Sequence, residues 1–327
     1  MRVLAGDIGG TNARLAVVDV TGPQRGRIVA ERRYPSADAP GLAPLALRIL
    51  AETGLTVERA CFGIACPVVN GDCDAPNLPW SVNAHELADA LRLERTTIIN
   101  DFLAAGHGLP VLVADDVETV QEGMPVSHGP VALIGAGTGL GEAFLLWRGD
   151  RYDVHSSEGG HASFAPTTPE LRALLDWLVP RYGHVSCERV ISGPGLVNVY
   201  EFLVASGAEP ECDAVRKVMQ DDGDPAPVIA EHALDRRDEA CVRAMELFTT
   251  AFGAQAGNLA LTVLASGGVY LAGGIAPQII PALRWGHFVN ALRDKGRLSD
   301  FTTRVPVHVI TNPDVAIYGA AAVAAHD

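Results

Sequence analysis

VLAGDIGGTNARLAVVDV (residues 3–20) begins as an apolar run and breaks at Gly6-Asp7. It passes through Gly9, Gly10, Thr11 and Asn12 and turns apolar again from Leu15 to Val18. That order excludes the two commonest phosphate loops. A Walker A loop needs G-x-x-x-x-G-K-[ST], and no Lys follows these glycines. A dinucleotide fingerprint opens a helix, whereas Leu15-Ala16-Val17-Val18 has the pattern of a strand. What is left is a glycine turn between two strands, either an ordinary tight hairpin or a turn whose backbone meets a ligand. For the second reading, Gly9 and Gly10 admit positive φ and close approach. Thr11 and Asn12 offer amides and side chains to a phosphate, and Asp7 can face a metal ion directly or through water.

The same order recurs. The strand pattern Val131–Ile134 runs into GAGTGLG (135–141), and AFLLW (143–147) follows as the next strand. Strand, glycine turn, strand, twice over, predicts two related α/β lobes, each giving one turn to a shared cleft, with Thr138 the polar candidate in the second. A third turn ends the buried strand Val269–Ala272 at Gly273-Gly274, where a flat group such as adenine can lie against bare backbone. Further strands are predicted at Ala60–Ala65, ended by Cys66-Pro67, and at Thr96–Ile99. Helices are predicted at Val82–Arg92, with Asn83 as N-cap and Glu86 three residues on, and at Pro169–Val179, Gly195–Ala205, Arg237–Leu264 and Val315–Ala325. The crossing between lobes is expected near Leu109-Pro110.

The 327 residues allow two lobes, and 48% hydrophobic content is ordinary for a large core. A formal charge of −14 disfavours nucleic acid and anionic membrane as partners. None of the six cysteines forms a C-x-x-C pair, so the expectation is free thiols in a reducing cytosol and no zinc knuckle. Leu247–Leu283 carries no charge, but its glycines, Pro277, Gln255 and Asn258 predict a buried helix, a turn and a buried strand instead of a membrane span. The protein is expected to be cytoplasmic.

Other residues carry chemistry by position. TTIINDF (96–102) delivers Asn100 and Asp101 at the carboxyl end of a strand, where α/β sheets bind ligands. There Asp101 can take a proton from an attacking hydroxyl, cap the helix that follows, or do both. In SSEGGHASF (156–164), Glu158 and His161 stand three apart, but Gly159-Gly160 disfavour the helix that a Glu-x-x-His metal pair needs. In a tight loop both can converge on one polar ligand. In GHVSCERVISGPGL (183–196), Glu188 lies near the start of a short helix with Ser186 as a possible cap; its bland reading is a first-turn acid favoured by the helix dipole.

Taken together, these stretches resemble the bacterial ATP-dependent glucokinases of proteobacterial type, in the hexokinase and actin-like ATPase superfamily. GDIGGTNARLA (6–16), ACPV (65–68), IINDF (98–102), GAGTGLG (135–141), EGGHASFAP (158–166), GHVSCERVISGPGLVN (183–198) and LAGGIAP (271–277) carry the resemblance, in the family's order and over nearly the whole chain. It implies a two-lobed actin-like (ribonuclease H-like) α/β fold. The small lobe would span 1–110 plus about 302–327, and the large lobe 111–301. It implies transfer of the ATP γ-phosphoryl group to the 6-hydroxyl of glucose. Gly6, Asp7, Ile8, Gly9, Gly10, Thr11 and Asn12, with Gly137, Thr138 and Gly139, would hold the phosphates, and Gly273 and Gly274 would lie by the nucleoside. Asn100 and Asp101 would bind the sugar, Asp101 as base, with Glu158, His161 and Glu188 reading its hydroxyls. A homodimer, Mg2+ with Asp7 as its candidate ligand, and no structural zinc are implied as well.

Three other classes fit worse. A sugar-responsive repressor would need a DNA-binding module, for which a first strand at Val3 is expected to leave no room. A nicotinamide oxidoreductase is disfavoured by the strand after each glycine turn. An actin-like assembly or chaperone ATPase would leave Asn100-Asp101 and Glu158-Gly-Gly-His161 unexplained.

Overall fold

The structure is a computed structural model that describes residues 1–22, 25–66, 68–69, 72–73, 78 and 80–326. Pro67 of the ACPV stretch and residue 327 lie outside the described residues. The chain forms two compact units, residues 1–117, 150–156 and 312–327, and residues 118–149 and 157–311.

The first unit is built on β1 (Arg2–Ile8), β2 (Asn12–Asp19), β3 (Arg27–Pro35), β4 (Arg59–Ile64) and β8 (Thr96–Asn100), in the order β3–β2–β1–β4–β8. The pair β1–β2 is antiparallel around the Gly9-Gly10 turn, with Ile8 opposite Ala13. The pairs β1–β4 and β4–β8 are parallel. Buried apolar residues run almost unbroken along β1 and β2, as expected for strands covered on both faces. One face packs on helix α1 (Leu42–Thr53), and the other on α3 (Asp101–Gly108) and α12 (Val315–His326). A small antiparallel sheet, β5 (Val68–Val69), β6 (Asp72–Cys73) and β7 (Val82–Asn83), precedes α2 (Ala84–Leu91). Asn83 caps α2, its side chain accepting from the Glu86 amide at 2.9 Å.

Here one expectation is corrected. The β5–β6 hairpin folds Cys66 back onto Cys73, seven residues away, and the two form a disulfide; Cys61, Cys187, Cys212 and Cys241 are free and buried. Spacing did not reveal the pair because the two-residue strands that join them have no periodic signal.

The second unit is built on β9 (Val117–Gln121, all but its first residue), β10 (Val131–Ala136), β11 (Leu140–Trp147), β13 (Gly268–Ala272) and β14 (Val307–Ile310), in the order β11–β10–β13–β14–β9; all but the last residue of β12 (Tyr152–Ser157) belongs to the first unit. The pair β10–β11 is antiparallel; β10–β13 and β13–β14 are parallel. A central strand with a hairpin on one side and two parallel strands on the other is thus the plan of both sheets. Residues 302–311, expected with the first lobe, fall in the second unit, because the buried Val307 and Val309 continue its sheet as β14. The large core lies around α8 (Glu239–Val263), packed by α4 (Pro169–Tyr182), α5 (Gly193–Ala205), α6 (Asp213–Gln220), α7 (Ala226–Leu234) and, after the short α9 (Ile280–Leu283), α10 (His287–Arg293) and α11 (Ser299–Arg304). No helix among the described residues is long and apolar enough to cross a membrane.

The closing helix α12 has little but alanine to bury, and its contribution is close approach. A Cβ on Gly319 would overlap the Ala104 carbonyl oxygen, and one on Gly108 would overlap the Val315 carbonyl oxygen. Helices α3 and α12 therefore meet backbone to backbone, and Gly63 on β4 leaves room for the Ala104 methyl group of α3, which a Cβ there would approach to 2.7 Å. Gly319→Ala is expected to cost about 1–3 kcal/mol of stability by overpacking. A urea titration checks this; an unchanged midpoint would show that the helices can separate freely.

Candidate functional site

At the end of β8 the backbone passes from strand to helix at Asn100. The Asn100 Oδ1 accepts from the amides of Phe102 (2.9 Å) and Leu103 (3.4 Å), and its Nδ2 donates to the Cys66 carbonyl (3.2 Å). Asn100, not Asp101, is therefore the N-cap of α3. Asp101 is the first residue inside the helix, where the dipole favours negative charge, and its Oδ1 accepts from the Phe102 amide at 2.9 Å. An Asn-Asp pair leaves open from sequence which member caps; the extended φ/ψ of Asn100 decides it.

The first glycine turn stands on the same unit. The Gly9 amide donates to the Asn12 carbonyl at 2.9 Å, and the Ser36 Oγ donates to the Gly9 carbonyl at 2.8 Å. Neither Gly9 nor Gly10 adopts positive φ, so the expected left-handed conformation is not what these glycines supply. What Gly9 supplies is room: the nearest atom to a Cβ there would be the Asn12 carbonyl oxygen at 3.6 Å. Gly6 is needed for packing, since a Cβ would press on Phe62. Asp7 pairs with Arg14 across β1–β2, but the Arg14 guanidinium is taken up by Glu31 (2.7 Å) and Asp314 (2.6 Å). Burial of the Asp7 carboxyl outweighs the charges of Arg14 and Arg33 and holds it above the usual carboxylate range.

In the second unit the 135–141 turn is tied at three points. The Gly137 amide donates to the Gly139 carbonyl (2.8 Å), the Gly193 amide at the start of α5 donates to the Gly137 carbonyl (2.8 Å), and the Leu140 amide donates to Glu188 Oε2 (3.0 Å). Thr138 at the tip is exposed, and a Cβ on Gly137 would meet nothing within 4 Å. Glu188 sits in a single 3-10 turn, Cys187–Arg189, and Ser186 does not cap it. The capping serine is Ser192, whose Oγ accepts from the Gly195 amide at 3.0 Å and opens α5. The structure thus brings Glu188 together with the glycine turn, a contact no spacing rule reveals. Glu158 and His161 flank another short turn, Gly159–His161; both are exposed, with Oε2 and Nε2 3.8 Å apart. At the third turn Gly273 has φ +80° and no room for a Cβ against Ala136, whereas Gly274 faces open space.

Sequence reasoning passed over Glu142, a buried carboxylate just after the second glycine turn, because one acid in an apolar strand has no motif. It also passed over Cys212, Asp238 and Cys241, whose ligand atoms lie within 4.8 Å of one another. Within that group Asp238 caps α8 by accepting from the Cys241 amide (3.0 Å), and burial, with the Asp238 charge beside it, pushes the Cys241 thiol up.

The glucokinase family model matches residues 4–327. A glucokinase of Trichormus variabilis is 40% identical over 337 aligned positions, covering 99% of this chain and 98% of its own. The crystal structure of a glucokinase from an Antarctic psychrotroph superposes with a TM-score of 0.86 at 31% identity, covering 100% of this chain and 99% of that one. A ROK family glucokinase from Streptomyces griseus, solved with glucose and AMPPNP, shares the fold, with a TM-score of 0.70 at 21% identity over the full length of both chains. Fold and family define a sugar kinase on the actin-like ATPase fold. Within that class, the chain belongs to the glucokinase family.

The raised Asp7 carboxyl carries a sign. Folded chains hold its proton to higher pH than unfolded ones, so its ionisation is a cost at neutral pH that is relieved as pH falls. Asp7→Asn has no proton to lose and is expected to raise Tm at pH 7, with the gap closing toward acid pH. Melting curves of both chains across pH check it; coincident curves at pH 7 would refute it.

Proposed function

We propose that this chain phosphorylates glucose at its 6-hydroxyl with ATP, Asp101 acting as the general base. The observation that carries the assignment is the division of labour at the end of β8: Asn100 supplies the cap of α3, so the cap does not depend on Asp101. Asp101 accepts the hydroxyl proton as that oxygen attacks the γ-phosphorus, and the bond from phosphorus to the ADP oxygen breaks. Asn100 binds the sugar beside it. Glu158, His161 and Glu188 read the remaining hydroxyls; Glu158 and His161 are exposed and close enough to share one polar ligand. A site built on one hydroxyl pattern disfavours sugars that leave its polar groups unpaired.

The glycine turns take the phosphates. Gly9 and Gly137 leave open space at their Cα atoms, which lets phosphoryl oxygens approach backbone amides. Ile8, Gly10, Thr11, Asn12, Thr138 and Gly139 complete the two turns, and Gly274 leaves the nucleoside a bare surface. Magnesium fits at Asp7, a carboxylate whose burial disfavours its own charge; Asp7 would hold the ion directly or through water, and the ion would supply charge neutralisation at the phosphates.

Asp101→Ala is expected to lower kcat by about 10²–10⁴-fold while glucose still binds. Coupled ADP release with glucose, mannose and glucosamine as acceptors measures both the loss and the acceptor preference. A variant with near-normal kcat on glucose would remove Asp101 from the role.

A further inference from the structure

Glu142 lies on β11 opposite Ile134 and is 3% exposed, in a strand that is otherwise apolar on that face. A carboxylate in such a place costs folding free energy unless something uses it. Its Oε1 accepts from Gln255 Nε2 on α8 at 2.7 Å. Its Oε2 faces the Gly159–His161 turn so closely that a Cβ on Gly159 would overlap it. A Cβ on Gly160 would overlap the carbonyl oxygen of Leu140, two residues earlier on the same strand. From the other side, the Gly159 amide is held by the Ser157 Oγ at 3.0 Å. The two glycines between Glu158 and His161 therefore mark where the loop is laid on β11, Gly160 directly on the strand backbone and Gly159 on the Glu142 carboxylate.

We propose that Glu142 is a positioning residue: held by Gln255, its carboxylate is the floor under Gly159 and sets where Glu158 and His161 stand. The inference rests on the reading of those two residues as sugar ligands. Burial pushes the Glu142 carboxyl up and the Gln255 hydrogen bond opposes this, while burial and the Glu142 charge push the buried Cys187 thiol up to about 12. The floor is thus a single acid between an amide donor and loop backbone, and its effect is geometric.

Steady-state kinetics on the full chain, with glucose and Mg-ATP varied separately, test it. Glu142→Ala removes the floor and is expected to raise KM for glucose about tenfold or more while KM for ATP stays within about twofold. Glu142→Gln keeps the shape and is expected to restore most of the glucose affinity. Gly159→Ala is expected to raise KM for glucose, and to do so much less in the Glu142→Ala background, where its methyl group has space. Gln255→Leu serves if Glu142→Ala does not fold, with the same selective rise expected. An unchanged KM for glucose in Glu142→Ala, or in Gln255→Leu where that variant stands in, overturns the proposal. So do equal rises for both substrates, or a Gly159→Ala effect independent of Glu142. Glu158→Gln and His161→Ala run alongside: if neither changes KM for glucose, the sugar-ligand reading itself is lost, whereas a rise there with none for Glu142→Ala overturns the positioning role alone.

Discussion

The first unit depends on two helices meeting with no side chains between them. Gly319 lies against the Ala104 carbonyl and Gly108 against that of Val315, so the position of α3 is set by α12 to within atomic contact. Helix α3 begins at Asn100, and that residue's amide group joins the helix cap to the Cys66 carbonyl. The chain of dependence runs from a backbone approach, through a capped helix start, to the carboxylate of Asp101. Rigid elements under a reacting group matter because small displacements cost catalysis far more than they cost stability.

The second unit reaches a similar end with charge instead of backbone approach. Glu188 ties its carboxylate to the Leu140 amide, so one short turn and the 135–141 glycine turn move together. Glu142, two residues beyond Leu140 on the same strand, meets Gly159. Two acids in succession around one strand end thus fix two loops of different kinds. Each replaces water with an internal partner, which is why neither is an expendable surface charge.

What could be read in the sequence was local or repeated. GDIGGTNAR and GAGTGLG were legible as turns between strands because a short apolar run of strand type follows each, and the duplicated sheet plan follows from that duplication. Asn83 was legible as a cap because Glu86 follows at the right spacing. Three things were not. The choice of Asn100 over Asp101 as cap turns on a backbone angle at one residue. The Cys66–Cys73 disulfide depends on a hairpin of two-residue strands. The Glu142–Gly159 contact depends on loop placement over a strand. Sequence did mark Gly159 and Gly160 as loop-forming, but what the loop lies against is tertiary.

The Ala-rich closing helix also has a consequence in time. Ile317, Ala320, Ala321 and Ala324 complete a buried cluster with Val3, Ala5, Ala16, Val18 and Cys61, residues at the opposite end of the chain. On a ribosome moving at roughly 5–20 residues per second, the interval between making α3 and making α12 is on the order of 10–40 s. During it, one face of the first sheet has only α3 over it, while the second unit, whose larger segment runs without interruption from 157 to 311, acquires nearly all of its parts. The unit bearing Asn100 and Asp101 is therefore the last to close, and its uncovered strands are where a nascent chain of this fold is most exposed to wrong association.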